Sequence, residues 1–449
     1  MTIVNAFPSP GKEKLTLSEE LKCEISELIV YISKNLEDEK NTNTDKSNNV
    51  FFGNDIYGYL TLSIDETKKY HRLLVHLYLR LCRTNQISKD TVKNLVNITI
   101  LKAIDKKGNK RNVPIEDRIS DAISEFSEEL HAGAKCFMVY YPVCGLDSGG
   151  LPFSFGDIRF LIMNDVLLND LGFRGNLNGQ EQTDQQYIKI IHNGAHFNQP
   201  YACIEIETFD PTIARIMAIE KIRAHMEILN FYSDLIPFSS RQFIYLPGNA
   251  EQVTTISLIK EIKPTPSILS LISMDPAGPN YLPIPAIIEA DDKHNYGFKK
   301  VLSLLGEKRT EYEERLLLAL RWAGKATMST FQGLKGDALL QYITALETLF
   351  SFAHSEVTYR LSLSIAKLLQ FVHEKPEEIF DDFKQLYGSR SKIVHGGLVD
   401  QVNEFDLLKM RSITKKCILI LLTKEPFCSM RNQDELETWI NKQLLTNGN

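Results

Sequence analysis

The chain has 449 residues, too many for one ordinary hydrophobic core, and domain-size statistics imply roughly two to three domains. Its apolar and charged fractions, 43% and 24%, are those of a globular protein rather than a disordered or membrane-embedded one. A net charge of −6 excludes whole-molecule attraction to nucleic acid, so any RNA binding must come from a local basic patch.

The first predicted element is a helix from about Ser18 to Asn35, striped by Leu21, Ile25, Leu28 and Ile32. The polar, unperiodic run Glu37–Asn49 reads as a loose loop. From Val50 to about Leu258 the pattern is mixed. Strand-like runs rich in aromatic and β-branched residues are Tyr57–Ile64, Cys136–Val143, Ile158–Met163, Tyr187–His192, Tyr201–Glu207 and Gln242–Leu246. Helical runs between them are Asp65–Arg83, Glu116–Leu130 and Pro211–Asp234, the last with Asp210 as N-cap and Pro211 at the first helical position. Residues 1–262 are therefore expected to form an α+β domain with a mostly antiparallel sheet. The segment 263–296 carries Pro264, Pro266, Pro276, Pro279, Pro283 and Pro285, and is expected to be a proline-rich linker.

After about Gly297 the pattern is helical. Five stripes stand out: Leu316/Leu317/Leu320/Ala323, Leu339/Ile343/Leu346/Phe350, Leu361/Ile365/Leu368/Val372, Ile379/Phe383/Leu386/Arg390/Ile393 and Leu407/Met410/Ile413/Cys417/Leu421. Joined by short loops, they predict an all-α helical bundle over 297–449. Arg390 is out of place on its stripe, because a guanidinium cannot shed its charge. It requires a carboxylate, a phosphate or a wet cleft, and Glu347 and Asp382 are the candidate carboxylates. Five residues on, His395 precedes Gly396 and Gly397, which stop the helix. At i and i+5 the two positions stand ~140° apart on an ideal helix. They could converge across a two-fold dimer axis. The structural alternative is an ion-paired arginine and a histidine that merely caps the helix.

Other groupings carry less. The seven cysteines are scattered, odd in number and without a C-x-x-C pair, which points away from a disulfide framework and towards a reducing compartment. His192 and His196, near Cys203, have no matching ligand pair, so no metal site and no cofactor are expected. Gly145–Gly150 reads as a tight turn, and His225 as a hydrogen-bonded core histidine. Lys409, Arg411, Lys415 and Lys416 make the fifth helix basic, as an RNA rail or a solvated outer face. Without a basic leader or an apolar run of ~18–20 residues, a cytoplasmic protein without membrane association is expected.

The run Leu386-Tyr-Gly-Ser-Arg-Ser-Lys-Ile-Val-His-Gly396 resembles the signature of HEPN domains, Arg followed after four to six residues by His. It is most similar to the Apea-like branch, whose motif reads Tyr-x-x-Arg-Ser-x-Ile-Val-His-Gly. Tyr342–Phe350 resembles that family's Ala-Leu-Glu-x-Leu-Phe helix, and Tyr359–Ala366 its next helix, in the same order. The resemblance covers about Glu311 to Leu422. It implies an Apea-like HEPN helical domain, a homodimer or higher oligomer formed through it, and endoribonuclease activity in bacterial anti-phage defence of the abortive-infection type. It implies RNA as substrate, with transfer RNA a candidate by family analogy, and a phage-derived trigger. Arg390 and His395 match the catalytic pair. Glu347 matches a family position, with catalysis and pairing to a buried arginine both open as its role. Lys392 is either a phosphate contact or a solvated lysine. The alternative is a non-catalytic HEPN module that dimerises and binds RNA or protein.

Overall fold

The structure, a computed structural model, describes residues 15–38, 51–54, 58–82, 87–105, 113–132, 134–147, 152–171, 199–235, 253–261, 268–275, 282–306, 308–350, 357–372, 375–396 and 402–446. The chain divides into two compact units, Met1–Met138 with Glu205–Met217 and Ile259–Leu269, and Val139–Ile204 with Ala218–Leu258 and Ser270–Asn449. A mixed α/β part and a helical part are both present. They do not follow the expected boundaries at 262 and 297, because the sheet and the C-terminal helices share the second unit.

The first unit holds helices α1 (Glu19–Asp38), α2 (Ile64–Leu81), α3 (Lys89–Ile104) and α4 (Ile115–His131), and the hairpin of β1 (Phe51–Asn54) and β2 (Gly58–Thr61). Ile25, Ile32, Leu77, Val96, Ile100 and Phe126 are among its buried core residues. The strand expected over Tyr57–Ile64 is shortened because Ser63 opens α2. The Ser63 hydroxyl accepts from the Glu66 backbone N–H at 3.4 Å, and Glu66 Oε2 accepts from the Ser63 N–H at 2.7 Å. Glu66 Oε1 also accepts from Asn35 of α1 at 3.0 Å, so one buried carboxylate starts α2 and ties it to α1. Helix α3 was not foreseen, since its buried stripe of Val92, Val96 and Ile100 is diluted by polar residues.

The second unit contains most of a six-stranded sheet in the order β5-β6-β7-β3-β8-β9. Its strands are β3 (Lys135–Pro142), β5 (Phe153–Phe155), β6 (Ile158–Ile162), β7 (Pro200–Thr208), β8 (Val253–Glu261) and β9 (Ile268–Asp275), and β4 (Leu146–Asp147) pairs in parallel with β10 (Leu282–Pro283). The pairs β5–β6 and β6–β7 are antiparallel, with Phe153 opposite Phe160 and Arg159 opposite Cys203. The expected strands Tyr187–His192 and Gln242–Leu246, and the pair His192 and His196, lie outside the described residues.

The helices that follow α5 (Asp165–Asp170) are α6 (Pro211–Ser233), α7 (Ile284–His294), α8 (Phe298–Gly306), α9 (Glu311–Phe331), α10 (Lys335–Phe350), α11 (Val357–Gln370), α12 (Pro376–Gly396), α13 (Glu404–Thr423) and α14 (Gln433–Thr446). The five C-terminal stripes correspond to α9 through α13; α8 and α14 lie in the stretch expected to be helical, and α7 stands where a linker was expected. The expected linker 263–296 holds β9, β10 and α7. Pro285 is tolerated in the first turn of α7, where its missing N–H breaks no helical bond. Asp210 caps α6 as expected, accepting from the Ile213 N–H at 2.9 Å. Among the described residues, no helix is long and apolar enough to cross a membrane.

Helix α6 is pinned to the bundle by charge and by close packing. Glu227, a buried carboxylate, meets Arg321 at 2.9 Å and Lys325 at 3.3 Å on α9. Asp234, just past the end of α6, meets Arg411 at 2.6 Å and Lys415 at 2.5 Å on α13. Between the two α9 cations stands Gly324. A Cβ added there would come within 1.6 Å of the Glu227 carbonyl oxygen and 2.6 Å of its carbon. Only glycine lets the two backbones touch. Gly324→Ala is therefore expected to destabilise the protein by more than about 3 kcal/mol, beyond ordinary overpacking. Gly388→Ala, on α12 with nothing within 4 Å of the new methyl group, is expected to stabilise by up to about 1 kcal/mol. Denaturation midpoints of the two variants check this; equal midpoints would contradict it.

Candidate active site

Helix α12 is amphipathic, and its stripe is seated as the sequence implies. Phe383, Leu386 and Ile393 are buried, and Ile379 is half-buried. The same stripe brings Arg390 to the facing helix α10. There Arg390 Nε lies 3.4 Å from Glu347 Oε1, with 36% of the arginine side chain exposed and 20% of the glutamate. Of the two candidate carboxylates, Glu347 is thus the partner. Asp382 is taken by Lys409 at 2.7 Å.

A third group completes the cluster. Tyr387 stands one turn before Arg390, on the same face of α12. Its hydroxyl donates to Glu347 Oε1 at 2.6 Å, a short charge-assisted bond to the same oxygen that faces Arg390. The guanidinium carbon sits 5.6 Å from the centre of the Tyr387 ring. Burial, with the hydrogen bond to Glu347 and its negative charge, pushes the Tyr387 phenol up to about 12, against the opposing pull of Arg390. Tyr387 is the member that sequence reasoning did not assign a role. Its sequence signals are its place at the head of the motif and the i, i+3 spacing to Arg390, while the carboxylate that joins them is 40 residues away.

The backbone of α12 is helical through Gly396, so positions 390 and 395 stand ~140° apart around its axis. The side chains of His395 and Lys392 lie outside the described residues. The structure therefore brings Arg390 and Glu347 together and leaves the other two sequence-predicted positions on the last turns of the same helix. The basic face expected on α13 has a different character. Lys409 pairs with Asp382, and Arg411 and Lys415 pair with Asp234, so these three cations serve internal contacts. His225 is a core histidine as expected. Its Nδ1 meets the Lys221 carbonyl oxygen at 2.8 Å, its Nε2 lies 3.3 Å from Asp157, and burial lowers its pKa.

The cluster has a titration signature. The fold favours the neutral phenol of Tyr387, so its contribution to stability is complete below the ordinary phenol value of about 10 and is lost as pH rises through about 12. In a spectroscopic titration of tyrosinate, Tyr387→Phe is expected to remove one phenol from the group ionising near 12 and none from the group ionising near 10. Loss of a phenol near 10 would contradict the bond to Glu347.

Comparison with protein-family models, with curated proteins and with solved structures finds no match to this chain.

Proposed function

We propose that the chain is a metal-independent endoribonuclease of HEPN type, with Arg390 and His395 as its catalytic pair. The observation that carries the proposal is the state of Arg390. It completes a buried helical stripe, yet keeps 36% of its side chain in solvent and meets Glu347 only at 3.4 Å. A guanidinium in that state keeps hydrogen-bonding capacity that a tight bidentate pair with a carboxylate would have used up. The Apea-like motif running from Tyr387 to Gly396 and the Ala-Leu-Glu-x-Leu-Phe stretch at 345–350 support the same reading.

The chemistry follows from these residue types. RNA supplies its own nucleophile, the 2′-OH. Attack on the adjacent phosphorus breaks the bond to the 5′-oxygen and leaves a 2′,3′-cyclic phosphate and a 5′-hydroxyl. The 2′-OH proton must leave and the 5′-oxygen must gain one. Histidine titrates near neutral pH and performs either transfer. A guanidinium holds two phosphate oxygens and stabilises the charge that develops on them. Positions 390 and 395 diverge around one helix, which favours a homodimer in which two copies share a cleft. Cellular RNA, with transfer RNA as the candidate class, is the proposed substrate. Anti-phage defence in the cytoplasm, set off by a phage-derived trigger, is the proposed setting.

One observation favours a second reading. The Arg390–Glu347 pair also suits a non-catalytic HEPN module that dimerises and binds RNA or protein. Mutants separate the two. As catalytic residues, Arg390→Ala and His395→Ala each reduce RNA cleavage by orders of magnitude, and the double mutant is little worse than the poorer single one. The melting temperature barely moves for Arg390→Ala, because Glu347 keeps its bond to Tyr387 and the lost pair is half in solvent. Unfolding in step with lost activity, or full activity in both single mutants, would remove the catalytic assignment.

The proposed chemistry draws its proton transfer and charge neutralisation from side chains. Cleavage by the full-length protein is therefore expected to persist in excess chelator, and cleavage abolished by EDTA and restored by Mg²⁺ would overturn the mechanism.

A further inference from the structure

Glu347 Oε1 serves two donors unequally. The Tyr387 hydroxyl is on it at 2.6 Å, while Arg390 Nε stands off at 3.4 Å. A carboxylate free to choose would close on the guanidinium with two parallel hydrogen bonds, since that fork is the strongest pairing open to both groups. Here the phenol holds one oxygen. The arginine is left with a looser contact at Nε, and the edge formed by its two terminal nitrogens is the edge that a phosphate would take.

We infer that Tyr387 is a positioning residue that keeps Arg390 available to an RNA phosphate by occupying Glu347. The inference rests on the proposed role of Arg390, and it assigns Tyr387 and Glu347 opposite signs. Glu347 competes with phosphate for the guanidinium. Tyr387 weakens that competition by taking up part of the carboxylate's hydrogen-bonding capacity. The ring of Tyr387 adds a second constraint, since the guanidinium lies 5.6 Å from its centre and is held over the α12 face rather than swinging freely. Removing the hydroxyl alone lets Glu347 rotate onto Arg390 and close the pair.

The sign difference makes the inference testable by epistasis. The probe is a labelled single-stranded 2′-O-methyl oligoribonucleotide of mixed sequence, which presents phosphates but no nucleophile. It is titrated against the full-length protein and its variants by fluorescence anisotropy. Tyr387→Phe is expected to weaken binding by about three- to tenfold, the range of a charge-assisted contact partly lost. Glu347→Gln is expected to bind somewhat more tightly than wild type. The double variant is expected to return to within about twofold of wild type, because without the carboxylate there is nothing for the phenol to restrain. A merely structural tyrosine gives the opposite result, a double variant weaker than Tyr387→Phe. That outcome, or wild-type affinity in Tyr387→Phe, overturns the inference. If Tyr387→Phe fails to fold, Glu347→Gln alone decides, and affinity equal to or below wild type overturns it. Binding that Arg390→Ala leaves untouched overturns the inference and the RNA-phosphate role of Arg390 together. A parallel assay with the 2′-hydroxyl form of the oligonucleotide isolates the chemistry. The expected binding pattern without cleavage would sustain the role of Tyr387 while removing the nuclease reading.

Discussion

Two buried carboxylates, Glu227 on α6 and Asp234 just past its end, organise the second unit. They stand seven residues apart, about two helical turns. Each is met by an arginine and a lysine four residues apart, Arg321 with Lys325 and Arg411 with Lys415. Desolvating a carboxylate costs several kcal/mol, and it is offset only when the partners are close and the geometry is fixed. Two cations per carboxylate meet that condition. Helices α9 and α13 are thereby held to one rod. Both pack on α10, which presents Glu347 to α12. The position of Arg390 thus depends, at two removes, on ion pairs far from it in the sequence.

The helical part of this architecture was legible wherever an apolar stripe was long and unbroken. Stripes such as Leu316–Ala323 and Leu407–Leu421 need no partner to be recognised, because spacing alone sets the buried face. Local capping chemistry was equally legible, as Asp210 shows. What spacing could not reveal was who meets whom. The cations of α13 had the pattern of a solvated or RNA-facing surface. Their partner, Asp234, lies about 180 residues upstream, and a single acidic residue at a helix end carries no mark of its destination. For the same reason the proline-dense segment 263–296 suggested a break between domains. Prolines forbid helix interiors, but they allow the first turn of α7 and the end of β10, and so do not by themselves divide a chain.

Arg390 was visible because it violated its own stripe, and the choice of partner was narrowed to two carboxylates before the fold resolved it in favour of Glu347. Tyr387 was not visible in this way. A tyrosine on a half-buried helical face satisfies every local rule, since its ring packs and its hydroxyl reaches water or a neighbour. Its importance comes from sharing a single oxygen atom with an arginine on the same face, which is a property of three residues on two helices. The general lesson concerns arginine in clefts. A nearby carboxylate that orients a guanidinium also competes for it, and a third group that partly occupies the carboxylate sets the balance.

Asp210 has a consequence for the order of events in folding. One of its oxygens caps the start of α6, and the other accepts from the Ser88 N–H at 2.7 Å, where α3 begins. One carboxylate therefore joins two stretches of the first unit that stand more than a hundred residues apart in the chain, and that unit also draws on Ile259–Leu269. During synthesis the helices α1 to α4 can gather early, but their unit stays unfinished until residues 205–217, and then 259–269, have left the ribosome. A chain terminated between about 140 and 200 therefore lacks the carboxylate that joins the start of α3 to the start of α6.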